Sequence, residues 1–412
     1  MRTRSSSAGS AAITTTTTCS ADRVLRSSDR ILTTHVGSLP RTQAVTDVLF
    51  AREGNGTVPA DAEAIITAAV ADIIRKQVEV GIDVVSDGEM SKISYATYIK
   101  DRLNGFDGDT PREPGQDLVD HPRLLEKLAK LGSTAKYRRP KCVAPIDVKD
   151  LAPMRQDISN VQAAVKAAGA REAFVNSASP GTIALFQPND FYKTQDEYLE
   201  AVAEGMRAEY EGLVASGLLV QIDAPDLAMG RQTMYRSRSE DEFLNLAARH
   251  IEVLNHALRN VPADRVRMHV CWGNYEAPHT YDVPFERLLP IVMKAKPQAI
   301  LFEGANPRHA HEWVVFRDAP KGVVPEDKIL VPGVLSTTTN YVEHPELVAQ
   351  RIEAFANVVG RERVIAGTDC GFGTFAGFGP VDPDICWMKL AAMVEGAERA
   401  SKRLWGGARR TA

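Results

Sequence analysis

The chain is expected to fold as an α/β protein, a (β/α)8 TIM barrel with an inserted hairpin and helical segment after its second strand. Three observations point there. Eight short β-rich runs alternate with long amphipathic stretches, glycines close those stretches, and the polar residues gather at the carboxyl ends of the runs. The runs are ILTTHVG (31–37), IDVVSDG (82–88), EAFVNSA (172–178), LLVQIDA (218–224), RVRMHVC (265–271), QAILFEG (298–304), KILVPGV (328–334) and RVIAGTD (363–369). Between them, 60–80 carries Ile65, Ile66, Ala69, Val70, Ile73 and Ile74 on one stripe before Gly81. The stretch 195–216 repeats the pattern with Tyr198, Val202, Met206, Tyr210 and Leu213 before Gly217, and 344–360 opens at a proline and closes at a glycine. The insertion spans roughly 91–171, with a hairpin expected within 137–148 and a helix after it. An open doubly wound sheet is the runner-up, but no GxGxxG follows the first strand.

Composition narrows the function. With 412 residues, 44% hydrophobic, the chain can bury a large core. A net charge of -4 gives no support to nucleic-acid binding, and no apolar run is long enough to cross a bilayer. Five cysteines (Cys19, Cys142, Cys271, Cys370 and Cys386) are too few and too scattered for a disulfide framework, which points to a reduced, cytoplasmic protein. Residues 1–30 are rich in Ser, Thr and Arg and read as a disordered extension or an upstream start. They share features with an organelle transit peptide and lack the apolar core of a secretory signal. The catalytic barrel is expected over 31–400, followed by a basic tail over 401–412.

The chemistry concentrates at one rim. His269 and Cys271 lie two apart on one strand and so face the same side, Glu303 ends the next strand, and Cys370 ends the last. Imidazole, two thiolates and a carboxylate are a zinc ligand set, and their spread over about 100 residues suits a site assembled by a folded barrel. Either cysteine alone reads better as a small buried apolar residue; the four together favour a metal. Ser38, Asp87, Glu89 and Asp223 end other strands of the same rim, where an acid also commonly caps the next helix. His279, His309 and His311 read as solvated or as supporting residues, and Cys142 and Cys386 as packing.

These residues resemble the catalytic barrel of the cobalamin-independent methionine synthase family. The matching pieces are TTHVGSLPRT (33–42), GIDVVSDGE (81–89), SPGTI (179–183), QIDAP (221–225), HVC (269–271), FEG (302–304) and TDCG (368–371), in order. The resemblance implies that His269, Cys271, Glu303 and Cys370 hold Zn2+ and that the homocysteine thiol joins the metal by displacing Glu303. A zinc-bound thiol is held as its thiolate, the form that attacks a methyl group. It further implies that Gly37 and Ser38 offer backbone N–H groups to the substrate carboxylate, and that Glu89 and Asp223 bind its ammonium.

The chain departs from the family pattern in two places. The proton donor to the folate leaving group, a histidine in the family, aligns with Thr338, a poor general acid, and His344 reads as a helix start. The tryptophan that stacks on the pteridine is replaced by Phe186. The expected partners are therefore a homocysteine-like thiol and a methyl donor, either methyltetrahydrofolate or a methyl-corrinoid protein. The alternative is epoxide ring-opening by a zinc-bound thiol, as in the related epoxyalkane:coenzyme M transferases. Coenzyme M has no ammonium to occupy Glu89 and Asp223, which favours the amino thiol. A third reading is a zinc-stabilised binding barrel without catalysis.

Overall fold

A computed structural model describes residues 25–111, 114–131 and 138–406. Within them, all eight expected runs become strands of one parallel barrel: β1 (Leu32–Thr33), β2 (Val84–Ser86), β3 (Glu172–Ala178), β4 (Leu219–Asp223), β5 (Val266–Val270), β6 (Ala299–Phe302), β7 (Ile329–Leu335) and β8 (Ile365–Thr368). Each pairs with its sequence neighbour, β8 pairs with β1 at Leu32↔Ile365, and a bridge between Thr34 and Val84 closes the ring. The expected helices form over Ala62–Val80, Gln195–Ala215 and Pro345–Val359. Thr194 and Glu197 make a reciprocal capping box at the second of these, satisfying backbone donors the first turn would leave unpaired.

Strand periodicity decides what faces the interior. On β4, Val220 and Ile222 pack outward with the helices, while Leu219, Gln221 and Asp223 alternate with them and point the other way. The lower interior is filled by Leu32, Val84, Phe174, Leu219, Leu301, Val331 and Ile365. The same alternation carried toward the carboxyl ends brings polar residues inward, so the barrel is apolar below and reactive above. Arg267 forms the floor between the halves. Its guanidinium lies 3.9 Å from the centre of the Phe174 ring and donates to Thr34 Oγ1 (2.9 Å) and the His35 carbonyl (2.8 Å).

Residues 25–30, grouped by composition with the extension, instead pack on the lower barrel. Leu25 N donates to Glu172 Oε2 (3.2 Å), and the buried Ser27 hydroxyl donates to the Val364 carbonyl (2.6 Å). Residues 1–24, with Cys19, lie outside the described residues. At the other end the helix Pro383–Gly406 runs through the first half of the expected tail, and 407–412 lie outside the described residues.

The insertion after β2 differs from expectation in its hairpin. Lys141–Cys142 pairs antiparallel with Phe106–Asp107, not with a strand inside 137–148. Pro140 and Pro145 flank the pair and confine it to a strand too short to fold back on itself. The helix Ala152–Ala168 follows as expected. Two further helices, Gln116–Asp120 and Pro122–Leu131, roof the upper mouth of the barrel, with Leu118, Leu125 and Leu128 facing a cavity of about 730 Å³. Among the described residues no helix is long and apolar enough to cross a membrane.

Candidate active site

The cavity descends from this roof to the rim, where Ser38, Glu89, Asp223, His269, Cys271 and Cys370 line it together. His269 and Cys271 arrive from β5, one on the strand and one just past it. Cys370 follows β8, at which the register with β7 slips between Gly367 and Thr368. Such bulges re-aim a strand end, and here one precedes the second thiol.

The two sulfurs lie 3.0 Å apart, and ligand atoms of His269, Cys271 and Cys370 all fall within 4.8 Å of one another. All three residues are buried. Burial, and then repulsion from Arg267, depress His269 to about 3, so its imidazole is neutral and able to ligate. Its Nδ1 is buried without a hydrogen-bond partner. Cys370 is pushed well up, first by burial and then by Cys271; at Cys271 the hydrogen bond with Cys370 pulls down most strongly, but burial and the nearby Glu303 charge together raise it. Two adjacent thiols held as thiols beside an orphaned imidazole nitrogen fit a site completed by a thiophilic cation.

Glu303 is not gathered into this group. It is buried on the neighbouring strand end, where Oε1 accepts from the Trp272 amide and Oε2 from Asn306 Nδ2, each at 2.9 Å. Asp369, unnoticed in the sequence, accepts from the Gly304 and Ala305 amides at 2.8 Å and so fixes the turn that carries Glu303.

Glu89 and Asp223 face the same cavity. Glu89 sits in the left-handed region (φ 58°), uncommon for a non-glycine residue and typical of functional positions. Its Oε2 is buried without a hydrogen-bond partner, 3.7 Å from Arg41. Burial, then the nearby Asp223 charge, raise Glu89 to about 8. Asp223 is raised by burial to about 6, against hydrogen bonds from Asn176 (2.9 Å) and Gln221 (3.0 Å). Two buried, mutually repelling carboxyls leave a concentration of negative charge whose repulsion a bound cation would relieve.

Gly37 and Ser38 are placed differently from each other. Ser38 lines the cavity, while the Gly37 amide donates to His35 Nδ1 at 3.2 Å. Gly37 contributes instead by its missing side chain: a Cβ there would overlap the Asn176 amide that holds Asp223. A Cβ on Gly371 would likewise overlap the Ser38 hydroxyl.

Phe186 lines the upper cavity, edge-on to Tyr95 with ring centres 5.5 Å apart. Thr338 is not among the lining residues; its Oγ1 pairs with Ser336 Oγ at 3.2 Å. The adjacent Thr337 reaches the site indirectly, donating at 2.8 Å to Asn274, which lines the cavity and bonds the Gly371 carbonyl. His344 caps the helix Pro345–Val359 by accepting from the Glu346 amide. His311 is exposed, but His279 and His309 are buried and hydrogen-bonded on both nitrogens, not solvated.

Known proteins resemble the chain over most of its length. The description "Cobalamin-independent synthase, Catalytic domain" matches residues 31–113 and 133–398, which is most of the chain. A methionine synthase of Saccharolobus solfataricus is 24% identical over 375 residues, covering 90% of this chain and 95% of that protein. One from Sulfolobus acidocaldarius is 25% identical over 340 residues, covering 82% and 85%. The solved structure of a B12-independent methionine synthase from a Shewanella species, in complex with selenomethionine, superposes with a TM-score of 0.70 at 20% identity, covering 92% of this chain and 99% of that one. The closed barrel, the rim constellation and a match running through nearly the whole fold lead to one conclusion: the chain belongs to the cobalamin-independent methionine synthase family of methyltransferase enzymes.

Proposed function

We propose that the chain is a zinc-dependent S-methyltransferase that converts homocysteine, or a close amino thiol, to methionine or the matching thioether. The observation that carries this reading is the convergence, in one cavity, of two cysteines and a neutral histidine with a buried pair of carboxyls. His269, Cys271 and Cys370 would hold the zinc, with Glu303 as the displaceable fourth ligand. The bound ion supplies the Lewis acidity that keeps a substrate thiol deprotonated at neutral pH.

The remaining residues bind and orient. Glu89 and Asp223 take the ammonium group, with Asn176 and Gln221 fixing Asp223. Ser38 stands beside the position where the substrate carboxylate would lie. The roof helices and Phe186, Phe375 and Met229 line the upper cavity, where the methyl donor would enter and their apolar faces would keep water out. Because Thr338 does not line that cavity, the reading favours a donor whose leaving group departs without a proton from this residue.

The discriminating assay offers homocysteine with methyltetrahydrofolate, with methylcobalamin, and, separately, coenzyme M with a simple epoxide. Thioether formation from homocysteine with either methyl donor is expected. Alkylation of coenzyme M alone would overturn the amino-thiol assignment.

A pH dependence follows from the carboxyl pair. An ammonium ligand binds the ionised pair, and both groups titrate above the usual carboxylate range. Affinity for methionine, which has no titrating thiol, is therefore expected to strengthen as pH rises from about 6 to about 8 and then level off. Calorimetry across that range checks it; affinity that weakens with rising pH would exclude the pair as the ammonium site.

A further inference from the structure

A second cluster lies behind the first, in residues the proposed reaction does not use. His279 Nδ1 and His309 Nε2 converge on the same oxygen, Asp282 Oδ2, at 2.8 and 2.9 Å. The three side chains are only 3%, 4% and 3% exposed for His279, Asp282 and His309. We propose that His279, Asp282 and His309 form a second metal site, distinct from the cysteine site, that takes a divalent transition metal through these three converging atoms.

Each candidate ligand has one inward-facing atom and one outer partner. His279 Nε2 bonds the Tyr275 carbonyl (3.0 Å), His309 Nδ1 bonds Glu312 Oε2 (2.8 Å), and Asp282 Oδ1 accepts from Gln232 Nε2 (3.0 Å). That is the supporting shell metal-binding histidines and carboxylates usually have, in which the outer bond sets the ring orientation and tautomer. The two nitrogen–oxygen separations also fit: ligands about 2.1 Å from one ion and 2.8–2.9 Å from each other subtend about 85°, a neighbouring pair in an octahedral shell. Two imidazoles and one carboxylate, with no sulfur, suit a ferrous-type or zinc-type ion with positions left for water. His279 is held at φ 54°, the second of two non-glycine residues in the left-handed region among the described residues, the other being Glu89.

Charge balance supports the exchange. Without a metal, both imidazoles donate from both nitrogens and are imidazolium ions; burial opposes this, and the bonds to Asp282, with Glu312 at His309, outweigh it. Asp282 and Glu312 each accept hydrogen bonds on both oxygens, so two carboxylates face the two imidazoliums and the cluster carries no net charge. A dication entering as two protons leave keeps it neutral, so no uncompensated charge is buried. The position is also pertinent. The Trp272 indole packs against His309 at a tilt of 30° with ring centres 4.2 Å apart, and the Trp272 amide bonds Glu303, so an ion here would stiffen the segment that carries Cys271.

Cobalt(II) titration of chelator-treated protein at pH 8 tests the proposal. Two equivalents are expected: one producing a thiolate charge-transfer band, the other binding without it and releasing about two protons, so that its affinity rises about 100-fold per pH unit below the imidazolium range. The double substitution Cys271→Ser, Cys370→Ser should keep the sulfur-free equivalent, and His279→Gln or Asp282→Asn should lose it while keeping the thiolate band. Because the cysteine variant and the wild type are read separately, loss of methyl transfer does not bear on the result. Saturation of the wild type at one equivalent, or a sulfur-free equivalent that persists in His279→Gln or binds without proton release, would overturn the second site.

Discussion

Replacing Cys370 by Ala is expected to remove the thiolate-bound metal and lower kcat/KM for thiol methylation by at least about 10³-fold, beyond the 10–100-fold usual for an outer-shell partner. Cys370 Sγ lies 3.0 Å from Cys271 Sγ and lines the cavity with His269, so its loss leaves one thiol, one imidazole and the displaceable Glu303, too weak a set to retain zinc against solvent. Metal analysis and steady-state kinetics on the same preparation check the two effects together. Cys386→Ala is the control: Cys386 is equally buried, but lies on the helix Pro383–Gly406, and its replacement should leave the metal in place. A Cys370→Ala enzyme with normal turnover would end the metal-thiolate mechanism.

Asp223→Asn should act on binding. The substitution removes one charge from the buried pair and leaves Glu89 as the sole counter-charge for an ammonium. A charge-assisted hydrogen bond in such a site contributes roughly 1.5–3 kcal/mol, so the apparent KM for homocysteine is expected to rise about 10–100-fold while kcat changes little. A thiol without an amino group should be nearly indifferent to the substitution. If both thiols lose affinity equally, the carboxylate serves the architecture of the rim and not the ammonium. Asn176 and Gln221, which hold Asp223 at 2.9 and 3.0 Å, would then be the residues to examine.

How much could be read without coordinates differs between the two clusters. The spacing of His269 and Cys271 on a β-rich run, with Glu303 and Cys370 at the ends of later runs, is a local signal, because side chains two apart on a strand share a face. It anticipated the convergence of His269, Cys271 and Cys370. It could not show that Glu303 would bond the Trp272 amide and Asn306, since that depends on the turn after β6 and on Asp369 beneath it. His279, Asp282, His309 and Glu312 gave no such signal. They come from loops and a short helical turn, their spacing has no strand or helix period, and His309 was grouped with His311, which the structure leaves exposed. Asn176 and Gln221 are silent in the sequence for a similar reason: amides on apolar strands look like exceptions until their partner is seen.

Periodicity of two and of 3.6 residues, with glycine and proline as punctuation, is enough to reveal eight strands, the helices Ala62–Val80, Gln195–Ala215 and Pro345–Val359 between them, and the closed order they adopt. Those signals arise from the backbone and from which face of each element is apolar, and both are written locally along the chain. The partner of Lys141–Cys142, the seating of residues 25–30 beneath the barrel, the roof over the cavity and the paired imidazoles all depend on contacts between distant segments. Only packing in three dimensions selects among such contacts, because many partners are compatible with each segment alone and burial of the whole decides between them.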